Sequence, residues 1–299
     1  MPKDTQNLTR ALIDKNEKAA LELLQAGVDG NFKEAYDDLY PIHRVVGWGN
    51  KRVLCVLLAK GVNVNALTPR GETALHYATS LEIGELLIEA GVNIHTANNL
   101  GTTALHKAAE DGPFLLVYRL VRDGANVYAK DKGGCTALHY AAYSNADLVR
   151  FLLQHKAELN VQDGRGQTPL FYALDVDLRY NTEPLKALLQ AGADFKIADN
   201  NGDTPLHEAA RWDLVAHLKM LLLYGADFTK RNNLGQTPLE VALSDDAQAT
   251  EAAAFLKTLQ TQPAAPVPAI MLSQGGIQDQ PAILSPEMPP SVPRMDQKW

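Results

Sequence analysis

The sequence predicts an all-α fold, a solenoid of stacked helix-turn-helix units joined by β-hairpin loops, and two periodic markers carry that expectation. A phrase built on Gly-x-Thr-(Pro/Ala)-Leu-His-x-Ala recurs at Gly71, Gly101, Gly134, Gly166, Gly202 and Gly235, at intervals of 30, 33, 32, 36 and 33 residues. A second phrase, two apolar residues followed three or four positions later by Gly, ends at Gly27, Gly61, Gly91, Gly124, Gly192 and Gly225. Lys156 fills the remaining slot, and the intervals become 34, 30, 33, 32, 36 and 33. Two independent markers on one period define a repeat array. Helix pairs this short cannot bury their own apolar face, so each unit must be stabilised by stacking on the next.

The unit around Gly202 shows how each element arises. Asn200-Asn201-Gly202 marks a turn, Thr204 can cap a helix, and Pro205 sits at the first helical position, where its missing N–H costs nothing. A first helix is expected from about Pro205 to Arg211 and a second from about Leu214 to Tyr224, stopped by Gly225 in the left-handed conformation. Leu206, Ala209 and Ala210, with Leu218, Leu221 and Leu222, have helical spacing for one apolar face.

In chain order, a degenerate unit over residues 8–31 comes first, then one around Tyr40-Pro41-Ile42-His43, five fuller units, and a last one from Gly235 in which Glu240 replaces the signature His. About eight units are expected, the end ones acting as caps with polar outer faces. Lys156 stands where a Gly would take φ > 0, at a cost of roughly 1 kcal/mol, and residues 174–182 carry extra length, read as a longer loop between helices. The array is assigned residues 1–261. Eight of the 16 prolines fall between Pro263 and Pro293, so residues 262–299 read as a disordered Pro-rich tail.

Thr204-Pro205-Leu206-His207-Glu208-Ala209, with Thr73-Ala74-Leu75-His76-Tyr77-Ala78, Thr103-Ala104-Leu105-His106-Lys107-Ala108 and Thr136-Ala137-Leu138-His139-Tyr140-Ala141, resembles the signature of the ankyrin repeat family. The closing phrases Ala191-Gly192-Ala193-Asp194 and Tyr224-Gly225-Ala226-Asp227 are similar to that family's as well. The resemblance covers about residues 5–260. It implies hairpin tips and exposed first-helix residues lining a concave groove to which protein partners bind.

Composition narrows the function classes. The 299 residues are 46% hydrophobic and 21% charged, ordinary for a chain with a core, and the net charge of −7 with no basic patch argues against nucleic acid. The N-terminus lacks a signal peptide's apolar core, and no stretch approaches the roughly 18 apolar residues of a membrane span. Cys55 and Cys135 make no disulfide framework, which favours a reducing, cytoplasmic setting. Cys55 reads as a small core residue and Cys135 as an exposed hairpin thiol. His43, His76, His106, His139 and His207 recur at one repeat position. The resemblance spaces them about 10 Å apart, too far for bonds of about 2 Å to one metal, so they are read as hydrogen-bonding to hairpin backbone. His95, His155 and His217 read as surface residues. No nucleophile, phosphate-loop or dinucleotide motif occurs, so no catalytic, cofactor or metal residue is assigned.

What remains is surface. Mapped by register, the candidate groove residues on the hairpins are Lys132, Arg165 and Asp203, and those on exposed first-helix positions are Trp48, Glu110, Asp111, Tyr143, Arg211 and Trp212. Tyr77, Lys107, Tyr140, Tyr172 and Glu208 share one column, read either as packing between repeats or as a partner-binding ladder. Arg211 and Trp212 head the set, because Trp and Arg are enriched at interface hot spots. Asn65 and Asn160 end Leu-x7-Asn phrases. They read as turn-capping residues, and in this family such asparagines can resemble substrates of an asparaginyl hydroxylase in animal cells. In the tail, Pro289, Pro293 and Arg294 form a polyproline segment of the kind SH3 domains accept.

The expected function is a non-enzymatic, monomeric interaction module or adaptor that binds a protein partner, with neither nucleic acid nor membrane as a target. Two alternatives stand beside it: a bacterial effector of ankyrin type acting in host cytosol, and a regulatory or specificity subunit of an enzyme complex.

Overall fold

The structure, a computed structural model, describes residues 2–175, 181–244 and 250–261. The tail motif Pro289, Pro293 and Arg294 lies outside the described residues. Eight pairs of consecutive helical elements fill the described chain, within the unit Met1–Gln260 and the end of its last helix. They are α1 (Lys3–Ile13) with α2 (Glu17–Gln25), α3 (Pro41–Trp48) with α4 (Lys51–Ala59), a 3-10 turn Ala74–Tyr77 with α5 (Leu81–Glu89), and α6 (Ala104–Asp111) with α7 (Phe114–Arg122). Then follow α8 (Ala137–Ser144) with α9 (Ala146–Gln154), α10 (Pro169–Tyr172) with α11 (Glu183–Gln190), α12 (Pro205–Arg211) with α13 (Val215–Leu223), and α14 (Pro238–Ala242) with α15 (Glu251–Thr261).

The seventh pair forms as its sequence predicts. Thr204 and His207 make a capping box, Pro205 occupies the first turn, and Gly225 at φ +93° closes α13. Lys156 ends α9 in the same left-handed conformation, at φ +67°, and its neighbours make the same bonds a glycine cap would: Lys156 N–H to Leu153 and Ala157 N–H to Leu152, both at 3.0 Å.

Between pairs, each hairpin is closed by its own backbone bond, as from Asp163 N–H to the Gln167 carbonyl at 2.9 Å. Neighbouring tips are then tied together. Asn99 N–H reaches Arg70, Lys132 N–H reaches Leu100, Asn200 N–H reaches Arg165 and Asn233 N–H reaches Asn201, at 2.7–3.0 Å. The core is a row of interfaces in one connected cluster. Signature leucines such as Leu105, Leu138 and Leu206 and second-helix leucines such as Leu57, Leu87, Leu120 and Leu221 are all buried, and the paired alanines Ala108–Ala109, Ala141–Ala142 and Ala209–Ala210 let first helices approach closely.

Two units depart from the regular form. The third, whose period is 30 residues, has room only for the 3-10 turn Ala74–Tyr77 before Ser80 caps α5. In the sixth, α10 stops after Tyr172, a single turn, and residues 176–180 of the following connection are outside the described residues.

Several expectations are corrected. Cys55 is exposed: α4 buries Val53, Leu54 and Leu57, and Cys55 projects off that face. Cys135 is buried, because its thiol turns inward to lie 2.9 Å from the Tyr172 hydroxyl. His217 is fully buried, on the face of α13 that also carries Leu218 and Leu221. Trp48 packs half-buried against the core, and Asp203 is buried beneath the hairpin, where it accepts from Asn232 Nδ2 at 2.7 Å.

Candidate functional site

The signature histidines clamp successive units. In each of four, the Thr backbone N–H donates to the ring Nδ1 of the His three residues on, at 3.0–3.2 Å: Thr73 to His76, Thr103 to His106, Thr136 to His139 and Thr204 to His207. Nδ1 is therefore an acceptor, which leaves Nε2 to carry the proton. Nε2 donates across the interface to a carbonyl of the next unit: Ala66 from His43, Thr102 from His76, Gln167 from His139 and Gln236 from His207. Burial pushes all five imidazoles below their ordinary pKa, His139 to about 4. They are neutral connectors, not ligands.

A second column lies beside them. The side chains of Asn98, Asp163, Asp199 and Asn232, each three residues before a marker glycine, accept backbone N–H groups two and four residues on; Asp131 accepts from Cys135 N–H in the same way. Tyr140 donates its hydroxyl to Asp131 at 2.7 Å and Tyr172 to Asp163 at 2.9 Å, while Tyr77 donates to Glu72. The Tyr ring edges pack against His of the preceding unit, with centroids 6.2 Å apart for His43–Tyr77, 5.8 Å for His106–Tyr140 and 5.1 Å for His139–Tyr172. Burial, reinforced in Tyr77 and Tyr140 by a carboxylate partner, raises the phenol pKa values, to about 12 in Tyr77 and further in Tyr140 and Tyr172. These rings join the repeats as neutral donors, and two of them also line the surface described next.

That surface is a cleft of about 560 Å³ over α10. The first helices of the neighbouring units, α6, α8 and α12, run seven or eight residues. With α10 only one turn long, the space between the ends of α8 and α12 is left open. Its walls include Glu110, Tyr140, Tyr143, Arg165, Tyr172, Glu208 and Trp212 from the sequence-derived set. Gln167, a hairpin position by register, and Asp175, a first-helix position by register, line it too, with Phe171 and Leu174, which the register mapping did not mark as exposed. Tyr143 is 36% and Trp212 46% exposed. A neighbouring opening shares Arg165, Glu208 and Trp212 and adds Arg211. Arg211 bridges Asp203 and Glu208, and the Trp212 indole N–H donates to Glu208 at 2.8 Å, so the pair is held in place by carboxylates rather than left loose.

Other members of the set lie elsewhere. Tyr77, Lys107 and Asp111 line a smaller depression of about 210 Å³ over the 3-10 turn. Lys132 stands exposed at a hairpin tip. Trp48 and Asp203 belong to the packing described above. Asn65 and Asn160 bridge repeats: their Oδ1 atoms accept from Asn93 N–H at 2.7 Å and Asp194 N–H at 3.0 Å. Among the described residues, no three His, Cys, Asp or Glu side chains are grouped to hold a metal ion, and no helix is long and apolar enough to cross a membrane.

The paired helices, the hairpin ladder and the Thr–His clamp define a helical repeat protein with a side-chain-lined groove. The chain belongs to the ankyrin repeat family: the model of that family, described as ankyrin repeats in three copies, matches residues 8–98, 80–163, 156–232 and 179–261. Among curated proteins, human Rabankyrin-5 is 33% identical over 91 residues, which are 27% of this chain and 8% of that protein. Mouse Rabankyrin-5 is 34% identical over 84 residues, 24% of this chain and 7% of that protein. The chain thus spans under a tenth of the relatives it matches. Among solved structures, the ankyrin repeat domain of human ASB11 superposes with a TM-score of 0.66 and 27% identity, covering 76% of this chain and 100% of that one. Ankyrin repeats form protein–protein interaction modules, and this chain carries one.

Proposed function

We propose that the chain works as a non-enzymatic adaptor that docks a protein segment along the hairpin and first-helix face, centred on the cleft over α10. The observation that carries this reading is the cleft itself. It is the place where a shortened first helix exposes aromatic side chains from three successive units, Tyr143, Tyr172 and Trp212, on a rigid frame. Rigid aromatics contribute large contact area at small entropic cost, as interface anchors do.

Photo-crosslinking tests it. The full chain carrying p-benzoylphenylalanine in place of Tyr143 should yield discrete protein adducts in cells, and the same probe in place of Glu89, at the end of α5, should yield few. Trp212→Ala should suppress the Tyr143 adducts. Equal labelling from both positions, unaffected by Trp212→Ala, would place the binding surface elsewhere.

A further inference from the structure

Resting on the reading that the hairpin and first-helix face docks a protein segment, we propose that the hairpin tips of the third to sixth units recognise an acidic stretch of that partner, its carboxylates set against Arg70, Lys130, Lys132 and Arg165.

Charge is sorted by sign across the hairpins. From the third unit on, the hairpins span residues 66–72, 97–102, 129–135, 161–167, 198–203 and 230–236. Among these described residues, the exposed charged side chains are Arg70, Lys130, Lys132, Arg165, Lys230 and Arg231, every one a cation. The hairpin acids lie underneath: Glu72, Asp163, Asp199 and Asp203 are buried and Asp131 is half-buried. Local bonding is the cause. Asp131, Asp163 and Asp199 accept backbone N–H groups of their own turns, Glu72 accepts from Tyr77 and Asn98, and Asp203 accepts from Arg211 and Asn232. Acids so employed are drawn under the turn, and the other charged positions are left pointing at solvent.

Four of these cations stand on consecutive tips that cannot drift apart. Asn99 N–H bonds to the Arg70 carbonyl, Lys132 N–H to Leu100 and Gly164 N–H to Gly133, so the cations keep a spacing of about 10 Å per unit. Arg165 is 3.4 Å from Asp163, whereas among the described residues Arg70, Lys130 and Lys132 enter no ion pair. Arg70 reaches Glu72 only as a longer-range charge. The cations come from hairpins one or two repeat periods apart, so the linear sequence shows no basic run and stacking alone gathers them.

Charge complementarity identifies the occupant. The chain carries a net charge of −7, so this row is opposite in sign to the protein that bears it. A negatively charged segment is drawn to the tips and repelled by the rest of the surface, which sets where it docks. Leu100, 66% exposed, stands in the same row between Arg70 and Lys132. A protein segment can place an apolar side chain there between two carboxylates, whereas a nucleic acid strand carries phosphate at every step and meets Glu110, Asp111 and Glu208 on the first helices of the same face. With a rise of about 3.3 Å per residue, about ten residues of extended chain reach from Arg70 to Arg165.

The test uses full-length protein, random peptides of about a dozen residues displayed on phage, and fluorescence anisotropy on the selected peptides. Selected sequences should be rich in Asp and Glu, and replacing those residues by Asn and Gln should weaken binding about tenfold. The tip variant Arg70→Gln, Lys130→Gln and Lys132→Gln should cost about tenfold at low salt and little at high salt. A charge-matched control, Lys18→Gln, Lys60→Gln and Lys257→Gln, alters exposed lysines outside the hairpins and should change binding less than twofold. Circular dichroism melts establish that each variant folds. Equal losses in tip and control variants would overturn the inference by showing attraction without a site. So would a mixed-sequence single-stranded DNA of twelve nucleotides that binds more tightly than the peptides and is lost in the tip variant. Peptides indifferent to the tip variant but lost in Trp212→Ala would overturn the acidic occupant and leave the docking face standing, and peptides indifferent to both would overturn the face as well. Failure to select any peptide above background overturns the inference, and the crosslinking experiment then judges the docking face by itself.

Discussion

At the residue scale, the signature histidine is the part of the repeat in which local and inter-unit bonding meet. Its Nδ1 closes its own turn and its Nε2 holds the next unit, so the ring must be neutral. The sign of the pH dependence follows. A buried His with a lowered pKa binds fewer protons folded than unfolded, so its stabilisation is present above about pH 6.5 and is lost as pH falls toward the folded value. His139, lowered to about 4, contributes on the order of 3 kcal/mol of that loss by pH 4. Urea midpoints should therefore drop between pH 7.5 and 5. His139→Gln should be less stable at pH 7.5 yet show a shallower drop, and a parallel dependence in wild type and variant would rule the mechanism out. The sequence leads to reading these histidines as bonded to hairpin backbone, which is the Nε2 half of the clamp; the bond from the Thr N–H to Nδ1 was not read there. The role of Asp131 and Asp163 was not read there, although each stands three residues before a marker glycine. The signal was available, since Asx side chains commonly bond backbone N–H groups two residues on.

At the element scale, the ends of the second helices decide local stability. Lys156 occupies a left-handed cap at φ +67°, so Lys156→Gly should stabilise the array by roughly 0.5–1 kcal/mol, read as a higher urea midpoint with unchanged slope. Gly202→Ala should act in the opposite sense. Gly202 sits at φ +76°, and an added Cβ would come within 2.7 Å of the Asn233 backbone nitrogen. A loss of about 2 kcal/mol is expected, and a change under 0.5 kcal/mol would show that the hairpin ladder gives way easily. Lys156 was recognisable from the period alone, because the slot it fills is glycine in six other units, at Gly27, Gly61, Gly91, Gly124, Gly192 and Gly225. The shortening of the third first helix was encoded in the 30-residue interval, but interval length does not say which element gives up residues. Ser80 capping α5 decides that.

At the scale of the whole array, each pair is stabilised by its neighbours, so a shortened unit is a weak link in the stack. α10 has a single turn between the longer α8 and α12. Amide hydrogen exchange should therefore show α10 exchanging about tenfold faster than α8 and α12, with protection recovering on either side. Uniform protection through all three would mean that stacking alone compensates for the missing turn. The same shortening opens the cleft, so the weak link and the candidate docking site coincide, as expected where binding surface is exposed at the expense of packing.

The sequence by itself determined the architecture. Its period, the Thr-His signature, the closing glycines and the alanine positions each act within a few residues or between identical neighbours, so their consequences repeat and can be read from one unit. It also marked seven side chains that meet in the cleft, because register alone places a residue on a first-helix or hairpin face. Only the tertiary structure decided which of those face residues gather. The gap over α10 depends on how far three successive helices extend, and the inward turn of Cys135, the burial of His217 and the sharing of Arg211 between Asp203 and Glu208 depend on the neighbour each side chain meets. Those are contacts between units, and a local pattern does not specify them.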